Sequence, residues 1–128
     1  MTLDSSALIA ILFAEPDYLS LVDRILEADA VRISAPTVVE TMLVFAGRRK
    51  SSEAGEVGAL LQELGVTVVP FGERETHAAS AAFLRYGRGR HRAGLNFGDC
   101  LAYAAASVAG DTLLFVGDDF RKTDIDPA

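Results

Sequence analysis

Met1-Thr2-Leu3-Asp4-Ser5-Ser6-Ala7-Leu8-Ile9-Ala10-Ile11-Leu12-Phe13-Ala14 opens the chain and decides how the rest reads. Met1 to Asp4 is a short strand, the end of a buried one. Ser5 to Ala14 is an apolar helix that Asp4 or Ser5 can cap. Strand, acid, helix is the unit. Glu15-Pro16-Asp17 breaks the first helix, because proline disfavours helix at the residue before it. Asp17 to Ala28 is helical, with Leu21, Ile25 and Leu26 on one face. Val31 to Ser34 is the second strand, and Pro36 suits the first turn of the next helix. That helix runs through Val38, Val39, Met42, Leu43 and Ala46 to Arg48-Arg49-Lys50, bases that suit a helix C-terminus.

The rest repeats the alternation. Ser51-Ser52-Glu53 restarts a helix that runs to Leu64 and stops at Gly65. Val66 to Pro70 is a β-branched strand, and Glu73 to Tyr86 a helix. Gly87 to Gly94 is a basic, glycine-punctuated loop. Asn96 caps a long helix ending near Ala109 and Gly110. Leu113 to Val116 is a strand followed by Gly117-Asp118-Asp119-Phe120. Short apolar strands alternating with helices predict an α/β fold, a parallel sheet with helices on both faces. In such folds, sites sit at the carboxyl ends of the strands. A chain of 128 residues with no repeat and no linker reads as one domain, 1–128.

Composition narrows the function classes. Half of the residues are apolar, enough to bury a core, so disorder is not expected. The early apolar run from Ala7 to Ala14 is far shorter than the roughly 20 residues that span a bilayer. No Lys or Arg precedes it, as a secretory leader would require. A lone cysteine, Cys100, allows no internal disulfide and fits a reducing, cytoplasmic setting. The net charge of -6 argues against a generic basic nucleic-acid binder. The bases are unevenly spread, however. Arg85, Arg88, Arg90 and Arg92 cluster with His91 and no acid among them, on an otherwise acidic chain. Charge alone reads as a solvated loop; beside a carboxylate-rich centre it also reads as a phosphate contact.

The acids fall where the fold puts sites. Asp4 follows the first strand, Glu40 lies about a turn into the helix after the second, and Asp118 and Asp119 follow the last. Asp99 follows no strand, but stands in the first turn of the helix entered at Asn96. Each has an ordinary reading: Asp4 as a helix cap, Asp99 as an acid favoured by the helix dipole, Asp118-Asp119 as turn residues. Glu40 is the odd one, set in the apolar stretch Val38-Val39-Glu40-Thr41-Met42-Leu43-Val44-Phe45. Carboxylates gathered at one edge repel unless they share protons or cations. Without a Cys/His cluster the fitting cation is hard and oxygen-seeking, Mg²⁺ or Mn²⁺, an ion suited to phosphoryl chemistry. Other chemistries lack support. His77 reads as surface, Cys100 as a buried structural thiol, and Gly87-Arg88-Gly89-Arg90 lacks the ending of a nucleotide-binding loop.

These residues resemble a known family along nearly the whole chain. Thr2-Leu3-Asp4-Ser5-Ser6-Ala7-Leu8, Glu40-Thr41, and Gly89-Arg90-His91-Arg92-Ala93-Gly94-Leu95-Asn96-Phe97-Gly98-Asp99-Cys100 with Ala102-Tyr103-Ala104 are similar to the PIN-domain ribonucleases of the VapC toxin type. Leu113-Leu114-Phe115-Val116-Gly117-Asp118-Asp119-Phe120 and Thr123-Asp124-Ile125 complete the match. The resemblance implies a three-layer PIN-like domain with four to five short strands, and a metal-dependent endoribonuclease acting with Mg²⁺ or Mn²⁺. It implies Asp4, Glu40 and Asp99 as catalytic acids, with Asp4 and Asp99 the direct metal ligands. The fourth acid is Asp118 or Asp119, because the family's spacing to the following Phe is a little longer than it is here. Ser6 matches a small hydroxyl residue lining the family's site, and Asn96 is a candidate substrate contact as well as a cap. The resemblance further implies a homodimer, an RNA substrate with tRNA among the candidates, and a cognate VapB-type antitoxin. DNA binding would belong to that antitoxin, not to this chain. Arg88, Arg90 and Arg92 as holders of the RNA backbone follow from charge, and the early helices offer an apolar groove for the antitoxin.

Two other classes compete. A phosphoacceptor signalling domain fits the length but would need a lysine after the last strand and a paired acid beside Asp4. A catalytically inactive PIN-like module that binds RNA or protein conflicts with filled acid positions.

Overall fold

The computed structural model describes residues 1–49 and 55–128. Its strands are β1 (Thr2–Leu3), β2 (Arg32–Ser34), β3 (Thr67–Val69) and β4 (Leu113–Leu114). Its helices are α1 (Ser5–Leu12), α2 (Tyr18–Glu27), α3 (Ala35–Arg49), α4 (Gly55–Glu63), α5 (Glu73–Tyr86) and α6 (Phe97–Ala109), and a 3₁₀ turn spans Phe120–Lys122. The expected restart at Ser51-Ser52-Glu53, and Lys50 before it, lie outside the described residues.

The four strands form one parallel sheet in the order β3-β2-β1-β4. With β1 central, a residue just beyond Leu3 sits at the middle of the sheet's carboxyl edge. Side chains alternate across the sheet. Leu3 and Leu114 join a core made with α1, α2, α3 and α4, whereas Leu113 joins a second core with α5, α6 and Phe120. Helix layer, sheet, helix layer is the three-layer arrangement expected from the alternation.

The last strand is shorter than the expected Leu113 to Val116. The Asp4 N–H donates to the Leu114 carbonyl, but the Val116 N–H donates to Ser6 Oγ at 3.0 Å. Beyond Leu114 the neighbouring chain has already turned into α1, so a side chain takes the place of a ladder partner. The basic loop is closed by a bridge between Gly87 and Leu95. The Arg88 N–H donates to the Leu95 carbonyl and the Leu95 N–H to the Tyr86 carbonyl. This closure carries the chain back to the sheet's carboxyl edge just before α6 begins.

At the opposite edge, Asp111 accepts from Thr2 Oγ1 at 2.9 Å and pairs with Arg32 at 2.9 Å, tying the strand starts together. Near the C-terminus, Asp124 accepts from the Tyr103 hydroxyl at 2.6 Å and pairs with Arg85 at 2.7 Å, fastening the final segment to α5 and α6. Cys100 is a free, buried thiol and His77 is exposed, both as expected.

Candidate active site

Asp4 ends β1 and caps α1. Its backbone is extended (φ -87°, ψ 157°), and its Oδ2 accepts from the Ser6 N–H at 3.0 Å and from the Ser6 hydroxyl. The capping reading and the functional reading therefore hold together. Capping fixes the carboxylate's orientation at the sheet edge while both of these bonds fall on one oxygen. Asp4 is only 3% exposed. Burial raises its pKa from 3.8 to about 6, against the lowering effect of the Ser6 bonds, and the charges of Asp99 and Glu40 add to the rise.

Asp99 reaches the same place from α6. Asn96 Oδ1 accepts from the Asp99 N–H at 2.9 Å, and Asp99 Oδ2 accepts from the Asn96 N–H at 2.8 Å. This reciprocal box satisfies two donors that a helix start leaves unpaired, and locks both side chains. Burial raises the Asp99 pKa, as does the charge of Asp119, while the Asn96 bond and Arg88 lower it.

Glu40 comes from α3 and is half-buried. Its Oε2 is fully buried and has no hydrogen-bond partner. Buried carboxylate oxygens are rarely left so. Burial raises its pKa; the Ser5 hydroxyl opposes this and Asp99 reinforces it.

Asp4, Ser6, Glu40, Asn96 and Asp99 line one cavity of about 350 Å³. Three carboxylates from three separate chain segments thus meet at the carboxyl edge of the sheet. A larger groove of about 520 Å³ lies between α5 and α6, but it is lined by Phe83, Leu84, Phe97, Leu101 and smaller residues and holds no carboxylate. Chemistry belongs to the smaller, polar cavity.

The remaining expected residues fall outside its lining. Asp118 and Asp119 are exposed in the turn after Gly117, 3.8 Å from Arg121 and 3.6 Å from Lys122 respectively. Of the two, Asp119 is the one whose charge reaches Asp99. Arg88, Arg90 and Arg92 are exposed on the loop. Arg88 lies close enough to lower the Asp99 pKa, and Arg90 stacks over Phe83 at 5.6 Å.

Two lining residues were not anticipated. Arg48 and Glu15 form a 2.6 Å ion pair at the cavity, and Arg48 also stacks over Phe13 at 5.4 Å. In sequence they looked like a helix-terminal base and a helix breaker. A lone acid before proline and a base at a helix end carry no signal that they meet.

The donor set fits a hard divalent cation. All three acids offer oxygen, all three resist ionisation while no cation is near, and one holds an orphaned buried oxygen. Among the described residues, no three potential ligands already stand gathered at one point. An ion at the cavity would therefore take part of its shell from these carboxylates and the rest from water.

Comparison with known proteins agrees with this geometry. The PIN domain family matches residues 1–126. The chain is 43% identical over 126 residues to Ribonuclease VapC of Mycolicibacterium smegmatis, covering 98% of this chain and 97% of that protein. It is 42% identical over 126 residues to Ribonuclease VapC30 of Mycobacterium tuberculosis, covering 98% and 95%. In structure it resembles VapC20 of Mycobacterium tuberculosis, described as a Sarcin-Ricin loop cleaving toxin. The TM-score is 0.78 at 17% identity, over 99% of this chain and 97% of that one. It also resembles VapBC2 from Rickettsia felis, with a TM-score of 0.72 at 15% identity over 99% and 96%. PIN-domain ribonucleases are in general dependent on divalent metal, as the oxygen-only donor set also suggests. No helix among the described residues is long and apolar enough to cross a membrane. A family match over nearly the whole length, and identity above 40% to curated ribonucleases, lead to one conclusion: the chain belongs to the PIN-domain family and, within it, to the VapC ribonucleases.

Proposed function

We propose that the chain is the toxin endoribonuclease of a toxin–antitoxin pair and hydrolyses RNA phosphodiester bonds with Mg²⁺ or Mn²⁺. The observation that carries this reading is the meeting of Asp4, Glu40 and Asp99 at one cavity, with a buried Glu40 oxygen left unpartnered.

Asp4 and Asp99 would hold the cation. Each is fixed by its own helix start, so neither carboxylate must be ordered when substrate arrives. The chemistry that a divalent ion would supply when held there is neutralisation of phosphate charge and a more acidic water. Glu40, whose proton affinity is raised by burial, accepts a proton from the attacking water. Attack on phosphorus in line breaks the bond to the 3′-oxygen, which takes a proton from solvent and leaves as a hydroxyl, so the RNA 2′-hydroxyl is not the nucleophile. Asp119 takes the fourth acidic place, because its charge acts on Asp99. Ser6 holds Asp4 and bridges to Val116. Asn96 fixes Asp99 from the cavity wall, where it can also meet substrate. Arg88, Arg90 and Arg92 contact the RNA backbone outside the cavity.

A VapB-type antitoxin would lie on α3 beside the cavity. Val39, Leu43 and Val44 are exposed there, and Val44 also lines the cavity, so a segment seated on the stripe would cover the acids. The apolar groove between α5 and α6 suits a homodimer contact. An RNA substrate sets the reaction in the cytoplasm.

The test is Mg²⁺-dependent cleavage of total RNA by the purified chain, beside Asp99→Asn and an EDTA control. Cutting by the wild type alone is expected. Equal cutting by all three would refute the carboxylate–metal site. Binding of Mn²⁺ without cleavage of any RNA would favour an inactive interaction module.

A further inference from the structure

Gly98 is the second residue of α6, between the Phe97 that follows the cap and the Asp99 of the site. It is buried, and its φ lies outside the left-handed region, so its backbone conformation is open to any residue. Alanine is the better helix former at such a position. What glycine supplies here is room. A Cβ built on Gly98 would stand 1.8 Å from Glu40 Oε1, 2.4 Å from Cδ and 2.6 Å from Oε2. All three distances are far inside van der Waals contact. The Glu40 carboxylate lies directly against the Gly98 backbone, and its Oε2 is buried there without a partner.

We propose that Gly98 is a positioning residue for cleavage: its missing side chain is the seat of the Glu40 carboxylate, and this seat sets the spacing between Glu40 and Asp99. The proposal rests on the ribonuclease reading above. The adjacency of Gly98 to Asp99 gives it force. Asp99 is fixed by the box with Asn96, and Glu40 is fixed by the floor that the preceding residue provides. One turn of α6 therefore places two acids from different helices. A methyl group at 98 meets the far end of a flexible side chain, which can swing away. The fold would survive while the carboxylate leaves its seat.

Two readouts test this together. In RNA cleavage with Mg²⁺, Gly98→Ala is expected to lose about 100-fold or more in kcat with KM changed by less than about threefold. Adding Glu40→Asp, which shortens the side chain by one methylene, is expected to recover at least about tenfold over Gly98→Ala alone. The second readout is a thermal-unfolding cycle of Gly98→Ala, Glu40→Ala and the double variant, all without metal. Gly98→Ala is expected to raise Tm when residue 40 is alanine and to raise it less, or lower it, beside the native Glu40. Cleavage by Gly98→Ala within about threefold of wild type would overturn the proposal. So would a Tm effect identical in both backgrounds, or no gain from the shorter acid. A wild-type chain that cuts no RNA would instead refute the ribonuclease reading and with it the catalytic role, while the unfolding cycle would still decide the contact.

Discussion

A single buried carboxyl, Asp4, ties the chemistry of this protein to its stability. In the unfolded chain it ionises near the ordinary 3.8; in the folded chain burial moves this to about 6. Between about pH 4 and pH 6 the folded state therefore keeps a proton that the unfolded chain has released. Stability falls as pH rises through that window and stays lower above it. A difference of this size corresponds to about 3 kcal/mol at neutral pH in the metal-free protein. Asparagine at this position keeps an oxygen for the Ser6 N–H but carries no charge. Asp4→Asn should raise the Tm of the metal-free protein at pH 7.5 by roughly 8–12 °C, by about a third as much at pH 4.5, and end cleavage. An unchanged or lower Tm at pH 7.5 in EDTA would show that the buried charge is not a source of strain. Glycine at 98, in the first turn of α6, follows the same logic, since glycine loses more backbone freedom on entering a helix than alanine does. Local stability is given up at both positions, and both touch the acids.

At the level of elements, what the sequence reveals depends on whether a placement is local. The strand–acid–helix unit at Asp4 and the Asn96 cap of α6 are legible because caps and apolar runs are short-range signals, and Glu73–Tyr86 appears with the expected bounds. The position of α6 is not local. It depends on the Gly87–Leu95 bridge, which no periodicity announces, and this is why Asp99 could be placed on a helix but not on the sheet edge. Arg48 and Glu15 escaped for a similar reason: the end of α1 packs on α3 through Phe13 and Phe45, 5.4 Å apart, and that contact brings the pair to the cavity. The basic loop was read from charge alone, and its arginines lie outside the cavity lining, so their contribution to RNA binding should be electrostatic and general. Replacing Arg88, Arg90 and Arg92 together with Gln should weaken binding of single-stranded RNA. It should also flatten the slope of log K against log salt by about 2, at roughly 0.7 per lost phosphate contact. Measuring affinity by fluorescence anisotropy from low to moderate salt checks this. A parallel, unflattened line would remove the loop from the RNA path.

At the scale of the molecule, the exposed apolar stripe of α3 and the apolar groove between α5 and α6 lie in different helical layers, one on each side of the sheet. Contiguous apolar surface on a soluble chain marks contact with another macromolecule, and here the two surfaces differ in what surrounds them. The α3 stripe of Val39, Leu43 and Val44 adjoins the acidic cavity, so whatever covers it also governs access to Asp4, Glu40 and Asp99. The α5–α6 groove has Leu84 at its edge, 63% exposed, and carries no charge that would specify a differently charged partner. On the homodimer proposed above, a second copy would meet it about a twofold axis, with the same patch on both sides. These assignments separate under mutation. Leu84→Glu should convert a species of about twice 13.6 kDa into one of 13.6 kDa in multi-angle light scattering, because two new carboxylates would face each other across the axis. The variant should still bind the antitoxin. Leu43→Glu, at a residue 70% exposed, should leave the mass unchanged and weaken antitoxin binding at least about tenfold, since a charge would replace an apolar anchor in a helix-in-groove contact. Isothermal titration reads the second effect and scattering the first. A dimer that survives Leu84→Glu and falls apart with Leu43→Glu would exchange the two surfaces, and the cavity would then be screened by the second copy, not by the antitoxin.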